Sequence, residues 1–201
     1  MAPEVTLAIL CGGESRRMGA PKASLEIAGR PMLQYVFESL FWPGPTLLVT
    51  APSRQHPRGG ELFDREAVDP VEGEGPLRGV HTALQHSKTE YAVICTVDMP
   101  ALRTEHLNWL VQRLIRRSEF DGMMIRRRAG AEERLEPFPL ACRKAAEGAI
   151  AALLTSSNRP VHSVLELPGF AAEDAPSNWS SEIWTNLNTP QDYKAFVKLA
   201  R

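Results

Sequence analysis

The segment Gly12-Gly13-Glu14-Ser15-Arg16-Arg17-Met18-Gly19-Ala20-Pro21-Lys22 follows directly on the apolar run Val5 to Cys11. Glycines at such a turn let backbone N–H groups approach phosphate oxygens with no Cβ in the way, and Arg16 and Lys22 add positive charge. The segment is not a Walker A loop, which needs glycine immediately before its lysine, nor a GxGxxG turn, so neither P-loop nor dinucleotide chemistry follows. Taken alone, a tight turn with two solvated arginines explains it equally well. Asp98 closes a second apolar run, Tyr91 to Val97, just before Met99-Pro100. A carboxylate there suits magnesium bridging phosphates as a hard-oxygen ligand; the alternative is an aspartate that caps the next turn. Asp69 stands before Pro70, where its bland role is that of a turn residue. There is no triad-like Ser/His/Asp arrangement, no HExxH and no zinc-finger spacing. His81 and His86, five apart, do not share a helix face.

These residues need elements to position them. Val5 to Cys11 is nearly continuously apolar, the pattern of a strand buried on both faces and therefore of a parallel sheet. Leu33, Val36, Phe37, Leu40 and Phe41 fall at the helical period, with Pro31 in the first turn and Trp42-Pro43-Gly44-Pro45 as the stop. Strands are expected at Thr46 to Ala51, Glu66 to Asp69, Tyr91 to Val97, Gly122 to Arg126 and Ile183 to Leu187, and an apolar stretch at Pro137 to Cys142. Helices are expected at Leu77 to Gln85, around Lys144 to Leu154 and near Val161 to Leu165. Another follows Thr104 as its cap, with an apolar stripe of Leu107, Leu110, Val111, Leu114 and Ile115; the last has Thr189 as N-cap and Pro190 as first residue. Arg126-Arg127-Arg128 reads as a solvated charge run. Strands alternating with helices predict a three-layer α/β/α Rossmann-like fold with a mostly parallel sheet, whose ligands sit outside the carboxyl ends of the strands. The two strongest strands end in Gly12-Gly13 and in Asp98, so both point at one edge.

At 201 residues, 43% hydrophobic and 23% charged, the chain has the material for one core, and a single domain over residues 1–201 is expected. Lysine plus arginine number 23 against 24 aspartate plus glutamate, so no global field recruits nucleic acid or an anionic membrane. The start Met-Ala-Pro-Glu lacks the basic character of a secretory signal, and Val5 to Cys11 is too short to span a bilayer. A cytoplasmic protein is expected, with Cys11, Cys95 and Cys142 reduced and buried because none forms a CxxC pair.

Leu10-Cys11-Gly12-Gly13 with Ser15-x-Arg17-Met18-Gly19-x-x-Lys22 closely resembles the LAGGxSxRMGxDK signature of the molybdenum cofactor guanylyltransferases. The resemblance continues at Gly75-Pro76-Leu77-Arg78-Gly79 (GPLxG), Val97-Asp98-Met99-Pro100 (xDxP) and Asn186-Leu187-Asn188-Thr189-Pro190 (NxNTP), in family order over nearly the whole chain. It implies a nucleotidyltransferase fold, GTP and Mg²⁺ as reagents, and transfer of GMP to the phosphate of molybdopterin. Residue by residue, it implies Leu10, Cys11, Gly12, Gly13, Lys22, Asp69 and Asp98 as GTP contacts, Asp98 as metal ligand, and Lys22, Arg16 and Asp98 as the catalytic set. Asn186 and Asn188 alternate along an extended segment, so both side chains would face one side and hold a pterin or phosphate, or merely tie a loop to the sheet. A protein that delivers molybdopterin or receives the product is an expected partner, since the sulfur-rich pterin oxidises readily.

Cys11 replaces the alanine and Pro21 the aspartate common in that signature, and Pro52 occupies the place of an asparagine contact after the second strand. Pro21-Lys22 is commoner in cytidylyl- and sugar-phosphate nucleotidyltransferases, whereas the double glycine, GPLxG and NxNTP resemble the guanylyl form. Transfer of another nucleotide to another acceptor is the second reading. A non-catalytic nucleotide-binding module ranks last, because both Lys22 and Asp98 are present.

Overall fold

The computed structural model describes residues 3–12, 22–52, 55–71, 73–129, 132–155 and 160–200. Its frame is a seven-stranded sheet. β1 (Val5–Leu10) is central, pairing in parallel with β4 (Thr46–Thr50) on one side and β6 (Tyr91–Thr96) on the other. β5 (Arg65–Val68) extends the parallel set beyond β4. All six residues of β1 are buried, as the unbroken apolar run requires, and each fully covered Leu or Ile contributes about 1.5–3 kcal/mol. Two short strands, β2 (Glu26–Ile27) and β3 (Arg30–Pro31), form a separate antiparallel pair.

The other half of the sheet departs from the expected pattern. β7 (Gly122–Ala129) and β8 (Glu132–Arg143) form a long antiparallel pair, and β8 also pairs antiparallel with β6. β8 alone runs against the rest, so the sheet is mostly parallel, as expected. β8 begins well before the apolar stretch that marked it. Its prolines, Pro137 and Pro139, lie between the paired residues Glu136 and Leu140, where the β7 register shifts, so no ladder position is asked for a missing N–H. β9 (Phe170–Asp174), an alanine-containing edge strand parallel to β7, has no sequence signal strong enough to have been read.

Helices flank the sheet. α1 (Met32–Leu40) buries Met32, Leu33, Val36 and Leu40. Phe41 was expected on that stripe but takes the left-handed cap (φ 39°) ahead of Trp42-Pro43 and is 88% exposed. α2 (Pro76–His86) packs against β1, β4, β5 and β6. α3 (Thr104–Ile115) buries Leu107, Leu110, Val111 and Leu114. Its N-cap is Arg103, not Thr104: the His106 ring accepts from the Arg103 amide at 3.0 Å, while the Thr104 hydroxyl donates to the Leu40 carbonyl. α4 (Glu147–Leu154) follows a 3₁₀ turn at Lys144–Ala146, and another 3₁₀ segment spans Val161–Glu166. Ile183 to Leu187 is no strand. Ser180 accepts from the Glu182 amide and winds Ser181–Trp184 into a 3₁₀ turn, which buries Ile183 and Trp184 without a ladder. α5 (Pro190–Leu199) starts as expected, with Thr189 as N-cap and Pro190 in its first position.

Candidate functional site

The carboxyl ends of β1, β4, β5 and β6 form one edge, and the expected residues collect there. The Val97 amide bonds the Leu10 carbonyl at 3.2 Å, joining the ends of β6 and β1. Cys11 N–H donates to Val49, and Asp69 N–H to Thr50, both at 2.8 Å. A Cβ on Gly12 would lie 3.3 Å from that of Ala51, so the turn after β1 rests directly on the end of β4. Gly13 and Arg16 lie outside the described residues.

Three segments far apart in sequence meet at one ammonium group. Lys22 Nζ donates to Asp98 Oδ2 at 2.6 Å and to Asn188 Oδ1 at 2.7 Å. Lys22 begins a 3₁₀ turn (Lys22–Ser24), and its side chain and that of Asp98 are 17% and 18% exposed, so the pair is shielded yet reachable. Thr96 Oγ1 donates to Asp98 Oδ1 at 2.6 Å, and the Leu187 amide donates to the Asp98 backbone carbonyl at 2.9 Å. The Asp98 carboxylate faces Lys22 and Thr96, and the helix beyond it is capped at Arg103.

Asn186 and Asn188 do not share a direction. The Asn188 amide folds back on the Asn186 carbonyl at 3.0 Å, which breaks the extended alternation. Asn188 therefore reaches Lys22, while Asn186 Nδ2 donates to the Trp184 carbonyl at 3.2 Å. Asp192 locks this turn by accepting from the amides of Asn188 (3.2 Å) and Thr189 (2.8 Å). Hydrogen bonding from Thr189 first, then these amides and the Lys22 charge, holds the Asp192 carboxyl below the usual carboxylate range. Sequence reading missed Thr96 and Asp192, although both leave a signal. Thr96-x-Asp98 puts two side chains on one side of an extended chain, and Thr189-x-x-Asp192 has capping-box spacing.

Asp69 lies at the mouth of α2. Gly75 precedes that helix with φ 77° and ψ −179°, a conformation open only to glycine. A Cβ on Gly79 would come within 3.2 Å of Leu10 and 3.7 Å of Asp69 Oδ2, so the GPLxG glycines let the helix close onto the strand ends. Asp69 Oδ1 and Thr82 Oγ1 are both buried with no well-formed hydrogen bond among the described residues. Burial pushes the Asp69 carboxyl above its ordinary value, outweighing Thr82 and Arg78, which act the other way. A buried acceptor left open at a binding edge is a place for a ligand donor.

The arginine run is not simply solvated. Arg127 pairs with the buried Glu136 and stacks 5.8 Å from the centre of the Trp184 ring, while Arg126 pairs with Asp174 at 2.9 Å. Strand alternation turns Arg127 toward a carboxylate that burial would otherwise leave uncompensated. Cys95 and Cys142 are buried and Cys11 half-buried, all free. Burial pushes the Cys11 and Cys95 thiols up to about 12 and that of Cys142 higher still, so none is a nucleophile at neutral pH.

Among the described residues, no group of three or more His, Cys, Asp or Glu could hold a metal, and no helix is long and apolar enough to cross a membrane. A molybdenum cofactor guanylyltransferase of Yersinia pseudotuberculosis is 27% identical over 198 residues, covering 96% of this chain and 94% of the relative. One from Yersinia pestis is 29% identical over 194 residues, with the same coverage. Among solved structures, the molybdopterin-guanine dinucleotide biosynthesis protein A from Archaeoglobus fulgidus superposes with a TM-score of 0.81 at 22% identity, covering 96% of this chain and 97% of that one. The 2-C-methyl-D-erythritol 4-phosphate cytidylyltransferase from Thermus thermophilus shares the fold over 100% of both chains, with a TM-score of 0.71 and 16% identity. The model of the MobA-like NTP transferase domain matches residues 7–173, from within β1 to within β9, and the chain belongs to that family.

Proposed function

We propose that this nucleotidyltransferase transfers GMP from GTP to the phosphate of molybdopterin, releasing pyrophosphate. The observation that carries this reading is the Lys22 ammonium held between Asp98 Oδ2 and Asn188 Oδ1, where three of the four motif segments converge. The names of the full-length relatives support guanine and molybdopterin over the cytidylyl alternative. A phosphate oxygen of the acceptor attacks the α-phosphorus of GTP, the bond to the β-phosphate bridge oxygen breaks, and pyrophosphate leaves with that electron pair. The nucleophile is already anionic near neutral pH, so no general base is required and the protein's work is positioning and charge neutralisation. Lys22 exchanges Asp98 for phosphate oxygens as GTP enters, and Arg16 assists it. A delivering or receiving protein for the oxidisable pterin fits the same reading.

Magnesium fits the donor set. Asp98 supplies a carboxylate oxygen and Asn188 an amide oxygen, both bonded to the Lys22 ammonium and free to take a hard cation once Lys22 turns to phosphate. When bound, Mg²⁺ would be held by Asp98 with Asn188 and would screen the triphosphate. The open Asp69 carboxylate is assigned to the guanine edge, whose adjacent N1–H and N2–H groups are two donors for one carboxylate.

The test is thermal stabilisation. GTP with Mg²⁺ raises Tm more than CTP, ATP or UTP; a larger CTP shift selects the cytidylyl alternative, and equal shifts leave only phosphate binding. Asp69→Asn weakens GTP about 10- to 100-fold and erases the preference. The free variant moves the other way. A carboxyl whose folded pKa is raised stabilises fully below its unfolded pKa, and that contribution is lost as pH rises through the folded value. At pH 7 the unliganded Asp69→Asn chain therefore melts no lower than the parent, and its advantage shrinks as pH falls toward the carboxylate range. A lower Tm at pH 7 with GTP binding intact would make Asp69 structural.

A further inference from the structure

Away from the Lys22–Asp98 pair, a cavity of about 420 Å³ opens between the start of α3 and the chain leading to Asn186. Trp109, His106 and Ile183 contribute to its walls with Trp179, and Glu105 and Asn178 bring polar groups. The rings brace one another edge to face, Trp179 lying 5.0 Å from Trp109 and 4.8 Å from His106 between centroids. His106 Nδ1 accepts from the Arg103 amide at 3.0 Å, and burial pushes its pKa below the ordinary value, so the ring is neutral with its proton on Nε2. Nε2 lies 3.6 Å from the Glu105 carboxylate, whose side chain is 80% exposed. Aromatic walls, one exposed carboxylate, an imidazole N–H and a carboxamide are recognition groups for a flat ring with polar edges, in a volume of small-ligand size.

Short chain segments join both walls to the reaction site. Asp98 leads within a few residues into α3, Ile183 leads toward Asn186 and Asn188, and the Leu187 amide to Asp98 carbonyl bond ties the two together at 2.9 Å. We propose that this cavity binds the pterin ring of the acceptor, with Trp109, whose ring carries the Arg113 guanidinium at 5.3 Å, and Trp179 as its aromatic walls and Glu105 accepting from the ring N–H and amino group. The inference rests on the guanylyl-transfer reading above, which supplies an acceptor with a ring at one end and the attacking phosphate at the other. The same pyrimidine edge carries a carbonyl oxygen, which accepts from His106 Nε2 or the Asn178 amide. Glu105, His106 and Asn178 thus match its donors and acceptor, whereas a purely apolar ligand would leave all three unanswered.

Calorimetric titration of the whole chain with neopterin phosphate tests this without turnover. Saturable binding is expected in the parent, weakened about 10- to 100-fold by Trp109→Ala and several-fold by Glu105→Gln, with the GTP–Mg²⁺ thermal shift unchanged in both. Glu105→Gln, at an exposed position, keeps the test valid if Trp109→Ala unfolds. Absence of saturable binding in the parent, or equal binding in the parent and both variants, overturns the proposal. Binding that inorganic phosphate alone matches also overturns it, because the ring would then contribute nothing. Failure of guanylyl transfer in the parent, with the Trp109-dependent titration intact, would instead discard the transfer reading and leave a pterin site.

Discussion

Lys22→Ala lowers kcat/KM for nucleotidyl transfer by about a thousandfold, the size of effect expected when a charge acting on a developing oxyanion is removed from a shielded site. The structural cost is far smaller. Lys22 and Asp98 are a partly shielded pair, so breaking it costs about 1 kcal/mol and lowers Tm by about 2–4 °C, with Thr96 still bonded to the carboxylate. Combining Lys22→Ala with Asp98→Asn removes the uncompensated charge and returns part of that Tm, while activity stays lost. Steady-state kinetics with melting curves on the parent and both variants check this. Activity within a few-fold of the parent in Lys22→Ala would reduce the convergence on Nζ to a surface ion pair.

Asp98→Asn keeps size and one acceptor but removes the formal charge. Its effect is expected to approach that of Lys22→Ala at ordinary Mg²⁺, about two to three orders of magnitude in kcat/KM, with partial recovery as Mg²⁺ is raised. The folded state should tolerate the change. The Leu187 bond is to the Asp98 backbone, and an asparagine oxygen still accepts from Lys22 while Thr96 reverses to accept from the new amide. Kinetics across a magnesium titration decide. Wild-type turnover with wild-type Mg²⁺ dependence would remove Asp98 from the reaction.

What could be read in advance followed the strength of the local signal. β1, β6 and the α3 stripe are long, regular patterns whose burial leaves little choice of structure, and they bring the turn after β1 and Asp98 to one edge. β8 was half hidden because its prolines punctuate a strand that a register shift allows to continue. β9 and the 3₁₀ turn before Asn186 have no periodicity of their own; the first is held by pairing with β7 and the second by the Ser180 cap. Side-chain direction was the least legible. Asn188 and Asn186 looked equivalent until one tight turn separated them, and Arg127 looked solvated until Glu136 and Trp184 enclosed it. The aromatic cavity was invisible because Trp109 and Trp179 are distant in the chain and neither lies in a recognisable motif.

The most direct measurement is product analysis after incubating the chain with molybdopterin, Mg²⁺ and each of the four nucleoside triphosphates labelled at the α-phosphate. Label should pass to molybdopterin from GTP, with pyrophosphate released in equal amount, and CTP, ATP and UTP should give little or none. Preferential transfer from CTP, or transfer from no triphosphate by a chain that binds GTP and melts normally, would contradict guanylyl transfer to molybdopterin.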